Sequence, residues 1–207
     1  VTNSNIQKFD SSGNFIAKLV TQGSGNGQVQ NPLGLCVDPS NNLFVNDSEN
    51  YRIQKFDSNA NYLTKWGSSG QSNGKFSSAR GIECDSSGKV YVADGYNNRI
   101  QIFDNNGNFL TKWSSGGSED GLFDNAMGIA TDSSGNIYVS DKTNYRIQKF
   151  DNKGTFITKW GTFGSGDGQF LIPDTIAVDP SANVFIVDQY RIQKFNSTGS
   201  FITKWGS

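Results

Sequence analysis

Apolar side chains in this chain come in short runs separated by turn residues. Residues 79–113 show the pattern: Gly-Ile-Glu-Cys (81–84), Val-Tyr-Val-Ala (90–93), Ile-Gln-Ile-Phe (100–103) and Phe-Leu-Thr-Lys-Trp (109–113). Runs this short suit β-strands rather than helices, and the alternation of Ile100 and Ile102 with Gln101 and Phe103 predicts strands with two differently packed faces. Between the runs lie Asp85-Ser86-Ser87-Gly88 and Asp104-Asn105-Asn106-Gly107. Both are hairpin chemistry, with an Asp cap and a Gly able to take positive φ.

The same runs recur along the whole chain. Ile-Gln-Lys-Phe starts at Ile6, Ile53, Ile147 and Ile192, with Ile-Gln-Ile-Phe at Ile100, giving spacings of 47, 47, 47 and 45. Thr-Lys-Trp ends at Trp66, Trp113, Trp160 and Trp205, and an aromatic-hydrophobic-x-Asp string ends at Asp47, Asp94, Asp141 and Asp188. The shortfall in the last unit lies between Asp188 and Arg191. Each unit reads as strands A to D in an antiparallel meander, which cannot bury both faces alone and is stabilised by radial stacking into a β-propeller. Residues 1–18 supply strands C and D only, with Val1 as the tail of a strand B. The expected fold is therefore all-β, one domain over 1–207, with a leading half blade (1–18) and four full repeats (19–66, 67–113, 114–160 and 161–207). Eighteen strands result, four and a half blades of a ring of five or six. The half blade and the absent initiator Met point to a piece of a longer chain, or to completion of the blade by another chain.

Composition narrows the chemistry. Of 207 residues, 18% are charged and 34% hydrophobic, with 24 Gly, while 13% aromatic content argues against disorder. The absence of histidine removes Ser-His-Asp and Cys-His relays and imidazole zinc sites. A formal charge of −1 offers no basic footprint for nucleic acid, and no apolar run is long enough to span a membrane. No cofactor is expected.

The repeat Gly-x-Phe…Pro-x-Gly-Ile-x-x-Asp…Tyr-Val-Ala-Asp…Asn-Arg-Ile-Gln…Phe-Asp…Gly-x-Phe…Lys-Trp-Gly resembles that of the NHL-repeat β-propellers, over essentially the whole chain. The resemblance implies a propeller, in a family with RNA-binding, protein-binding, sensory and lyase members. It implies zinc held by histidines for the lyase branch, which this chain does not carry, and a basic face for the RNA-binding branch.

Repetition separates scaffold from candidate site. Residues that recur in every unit, such as the four Trp, are expected to pack blade against blade. The recurring Asp47, Asp94, Asp141 and Asp188 are expected to cap their own B–C loops, near the unit's Arg. Departures mark the candidates. At the start of strand A one register reads Leu33, Arg80, Met127, Asp174. Tyr96 stands in a B–C loop where Glu49 and Thr143 stand elsewhere, and Phe163 stands in a D–A loop where Gln22, Ser69 and Gly116 stand elsewhere. The D–A and B–C loops share one rim, so these six residues form the expected ligand-binding face. Its charged residues are Lys75, Arg80 and Lys142 against Glu49, Glu119, Asp120, Asp124, Asp167 and Asp174, the reverse of an RNA-binding surface.

The reading is a non-catalytic interaction or scaffold module that binds protein or glycan, or copies of itself through open radial faces. Its setting is extracellular or at the cell surface, and Asn46 and Asn196 head two sequons as glycosylation acceptors. The rivals are a calcium-dependent propeller hydrolase drawing on Glu83 and Asp174, and single-stranded RNA binding. Cys36 and Cys84 sit one register apart, on opposite faces of equivalent strands, and are expected to be two buried free thiols.

Overall fold

The computed structural model describes residues 4–206. Val1, the expected tail of a strand B, lies outside them, as does Ser207. The first sheet holds β1 (Ile6–Phe9), β2 (Phe15–Gln22) and β3 (Gln28–Val29). Four four-stranded antiparallel sheets follow. They are β4–β7 (Pro32–Val37, Leu43–Asp47, Arg52–Phe56, Tyr62–Trp66) and β8–β11 (Ala79–Cys84, Val90–Asp94, Arg99–Phe103, Phe109–Trp113). Next come β12–β15 (Ala126–Thr131, Ile137–Asp141, Arg146–Phe150, Phe156–Trp160) and β16–β19 (Pro173–Val178, Val184–Asp188, Arg191–Phe195, Phe201–Gly206). We call these sheets blades 1 to 5. They form a β-propeller, with strand A of each four-stranded blade beside strand A of the next around a central channel.

The additional strand, β3, is where the D–A loop of the first repeat crosses back over β2, pairing in parallel at Thr21↔Gln28 and Gln22↔Val29. Later repeats make the same crossing as single bridges, Ser69↔Phe76, Gly116↔Phe123 and Phe163↔Phe170. β2 itself runs to Gln22, past residue 18.

Turn chemistry follows the sequence. Asp104 Oδ1 accepts the N–H groups of Asn106 and Asn108, each at 2.9 Å, and Gly107 takes φ +86°. That glycine is needed twice over, because a Cβ there would lie 2.4 Å from the Trp66 ring of the preceding blade. Trp66 also meets Phe103 at 5.6 Å between ring centroids, as Trp113 meets Phe150 at 6.0 Å and Trp160 meets Phe195 at 5.9 Å. Trp66, Trp113 and Trp160 thus each roof the C–D turn and the strand C Phe of the next blade. Such ring pairs add about 0.5–1.5 kcal/mol beyond the area they bury. Inside this seam the apolar core is divided into inter-blade layers, for example Phe44, Ile53, Phe76, Ile82, Val92 and Phe103 between blades 2 and 3.

The two ends of the array lack this cover. Trp205 is 49% exposed on blade 5, and Phe9 is 50% exposed on blade 1, where its equivalents Phe56, Phe103, Phe150 and Phe195 are fully buried. Gly13, the turn glycine of blade 1, has no atom within 4 Å of its would-be Cβ.

The cysteines overturn an expectation. Cys36 and Cys84 form a disulfide between blades 2 and 3, with Cα atoms 5.7 Å apart, rather than two free thiols. Their side chains do leave opposite faces of equivalent strands. In a radial stack, however, the leading face of one blade meets the trailing face of the next, so opposite registers are those that touch. The bond closes a loop of 48 residues, a span worth about 2–4 kcal/mol to the folded state. Iodoacetamide applied to the denatured, unreduced protein is expected to label no cysteine, with two labelled after reduction. Labelling before reduction would disprove the cross-link.

Candidate functional site

The rim that carries the candidate site is shaped by D–A loops, which are nearly devoid of strand and are held by buried side chains. In blade 3, Asp94 Oδ1 accepts the N–H of Ser77 at 2.7 Å. Its Oδ2 accepts from Arg99 Nε at 2.8 Å, Asn97 Nδ2 at 2.9 Å and Gln101 Nε2 at 3.1 Å. The Arg99 guanidinium donates onward to the carbonyls of Gln71, Ser72 and Lys75, and Gln101 Oε1 accepts the N–H of Gly74. Asp47 and Asp141 organise the same network in blades 2 and 4, and Asp188 a reduced one in blade 5. The recurring Asp therefore caps the D–A loop, 17 residues before it in blades 2 to 4, and not the B–C loop as expected. Its neighbours Asn50, Asn97 and Asn144 tie the B–C loop in, each reaching a D–A carbonyl.

Once the loops are fixed, strand A follows close behind. Gly34, Gly81 and Gly128 let adjacent A strands approach. A Cβ on Gly81 would stand 2.5 Å from the Met127 carbonyl oxygen, and one on Gly128 2.4 Å from that of Asp174. Side chains from the strand B of one blade lock the next A strand in place. Asn46 Nδ2 donates to the carbonyls of Ala79 and Arg80 at 2.7 and 2.8 Å, and Ser140 Oγ to that of Asp174 at 2.5 Å. Asn46 is completely buried in this role, so it cannot serve as a glycosylation acceptor in the folded chain. Asn196 opens the β18–β19 turn, where its Oδ1 accepts from Thr198 and Ser200.

Leu33, Arg80, Met127 and Asp174 come together as read from their register. All four line one cavity of about 710 Å³ at the channel, with Asn5, Ile6 and Gln7 of blade 1 on the remaining side. That volume suits a small organic ligand. Tyr96 and Phe163 are not in the cavity. They stand on the loops, 67% and 65% exposed, and Phe163 packs edge-on against Tyr145 at 4.8 Å between ring centroids. Tyr190, which the sequence did not single out, is 77% exposed beside the shortened B–C loop of blade 5.

Deeper in the channel, Glu83 accepts a hydrogen bond from Thr131 Oγ1 at 3.0 Å. Burial pushes its carboxyl above the ordinary range, against the Thr131 hydrogen bonds and with help from the Asp85 charge. Glu83 and Asp174 do not converge with a third acid: among the described residues no three Asp, Glu or Cys side chains gather as metal ligands do. Among the described residues no helix is long and apolar enough to cross a membrane.

The raised carboxyl has a consequence for stability. The folded state binds this proton more tightly than the unfolded chain, so ionised Glu83 lowers stability at neutral pH, and the cost fades as pH falls through the folded pKa. Glu83→Gln is expected to melt higher than the parent at pH 7, with the two melting temperatures converging near pH 4. A lower melting temperature at pH 7 would contradict the assignment.

Residues 25–56 and 76–103 match the NHL repeat family, and residues 118–205 match a family described as a 6-bladed beta-propeller. Comparison with curated proteins finds no match. Among solved structures the chain is similar to a streptogramin B lyase (15% identity, TM-score 0.66, covering 85% of this chain and 54% of the lyase). It is similar also to a gluconolactonase from Xanthomonas campestris (13%, 0.70, covering 97% and 68%) and to a chain of a nidogen/laminin complex (17%, 0.70, covering 94% and 72%). The chain spans about half the length of the lyase. The expectation of a non-catalytic module is thereby corrected. Two proteins of this fold are enzymes, so the propeller gives no ground for placing the chain outside catalysis. The matched repeats and the four-stranded blades agree on an NHL-repeat β-propeller.

Proposed function

We propose that the chain is a binding platform that takes a protein or glycan partner on its D–A/B–C rim. Leu33, Arg80, Met127 and Asp174 form the central floor, and Tyr96 and Phe163 are anchors on the surrounding loops. One observation carries this reading: large aromatic side chains stand exposed on the rim, on loops whose backbones are held by the buried Asp–Arg networks. Aromatic anchors on a pre-organised surface lose little conformational entropy on binding and dominate the energetics of contact patches. The nidogen/laminin complex supports the reading at the level of fold, as a propeller found with a protein partner. The Cys36–Cys84 disulfide supports an extracellular or cell-surface setting, because such bonds persist where the surroundings are oxidising.

The test compares the parent with a Tyr96→Ala/Phe163→Ala/Tyr190→Ala variant on a glycan array and on a panel of secreted and matrix proteins that includes laminin. Substitutions at exposed positions cost little stability, and Phe163→Ala adds about 0.5–1.5 kcal/mol through its contact with Tyr145. The expected result is binding by the parent that falls at least tenfold in a variant that remains folded, in line with the loss of two or more anchors. Equal binding by both proteins would remove the rim from the account.

A further inference from the structure

The five arginines divide unequally. Arg52, Arg99, Arg146 and Arg191 are each paired to the Asp of their own blade, with Nε–Oδ2 distances of 2.6, 2.8, 2.8 and 2.9 Å. Each also donates to D–A loop carbonyls. Arg80 has neither partner. Among the described residues it makes no ion pair, and its Nε is shielded from solvent without a hydrogen-bond acceptor. It is also the one arginine outside the repeated Arg-Ile-Gln string, and it lines the channel cavity.

An uncompensated guanidinium in a partly enclosed site is costly unless an anion completes it. Part of the wall beside it is apolar: Leu33 and Leu35 remain 40% and 52% exposed there, with Met127 on the far side. Among the described residues, the acids lining the cavity are Asp174 and Glu83. The first makes no ion pair with Arg80, and the second is engaged by Thr131. The cavity therefore offers one fork of cationic donors beside an apolar shelf.

We infer that the channel is a binding site for a small ligand bearing an oxyanion group, carboxylate or phosphate, which Arg80 grips while the body of the ligand lies on Leu33 and Leu35. This rests on the reading of the channel mouth as a ligand site, but not on the rim aromatics. Guanidinium forks match both oxyanions in geometry, and the weak hydration of the group favours binding at a semi-buried position.

Isothermal titration calorimetry at low ionic strength with hexanoate and with inorganic phosphate tests it, using the parent, Arg80→Met, Arg80→Lys and the triple rim variant. Arg80→Met removes no bond that the fold uses, so it should melt as the parent does or slightly above. Saturable binding of hexanoate or phosphate is expected, weakened at least tenfold in Arg80→Met, weakened less in Arg80→Lys, and unchanged in the rim variant. Stronger binding of hexanoate assigns the site to carboxylates and stronger binding of phosphate to phosphate esters. Should Arg80→Met fail to fold, the intermediate affinity of Arg80→Lys carries the same test. No saturable binding of either probe, or binding indifferent to both Arg80 substitutions, would overturn the inference. Loss of partner binding in the rim variant with anion binding intact separates this site from the rim.

Discussion

A carboxylate buried without exposure organises each full blade of this propeller. Asp47, Asp94, Asp141 and Asp188 sit at the ends of their B strands, almost wholly removed from water. Burying such a charge costs several kcal/mol, and only complete pairing offsets it. In blade 3 the pairing is an arginine, a glutamine, an asparagine and a backbone N–H from a loop 17 residues earlier. The arginine and glutamine spend their remaining donors and acceptors on the same loop. Removing one member of such a set strands the others, at about 3–5 kcal/mol. A loop with almost no strand pairing of its own is thereby tied to the blade through side-chain hydrogen bonds.

Much of the rest follows from that restraint. With the D–A loop fixed, the start of strand A is fixed. Glycines at 34, 81 and 128 then allow neighbouring A strands to close around the channel. The side chains one position before those glycines, and Asp174 before Thr175 in the last blade, differ from blade to blade: Leu33, Arg80 and Asp174 line the cavity while partly accessible, and Met127 is buried in its wall. Their unlikeness makes the channel asymmetric. Arg80 is informative for the same reason: the scaffold satisfies every other arginine and leaves this one open.

The repeat made the blades legible in sequence, since strings recurring at 47 residues also recur as strands, turns and inter-blade Trp contacts. The channel register was legible too, because equivalent positions in a propeller are equivalent in radius. Other features were hidden because they depend on neighbours outside the strand being read. Alternation within Ile-Gln-Ile-Phe predicted two differently packed faces, but nothing in the strand itself showed that Gln101 is fully buried and bonded to the loop above it. Asn46 read as a sequon but is a buried clamp on the next blade. The cysteines were judged by the faces of their own strands, whereas a radial stack brings opposite faces together. Tyr190 acquires its exposure from the shortened loop at the open end of the array.

The central claim is that buried side chains, rather than strand pairing, make the D–A loops rigid enough to preform the channel. Native-state hydrogen exchange at the N–H groups of Ser77, Asp124 and Gly74, which bond to Asp94, Asp141 and Gln101 respectively, tests it directly. The account predicts that these loop amides exchange as slowly as those of the central strands, through global unfolding. Exchange at the rate of ordinary exposed loops would show that the networks do not restrain the rim, and the preformed channel would fall with them.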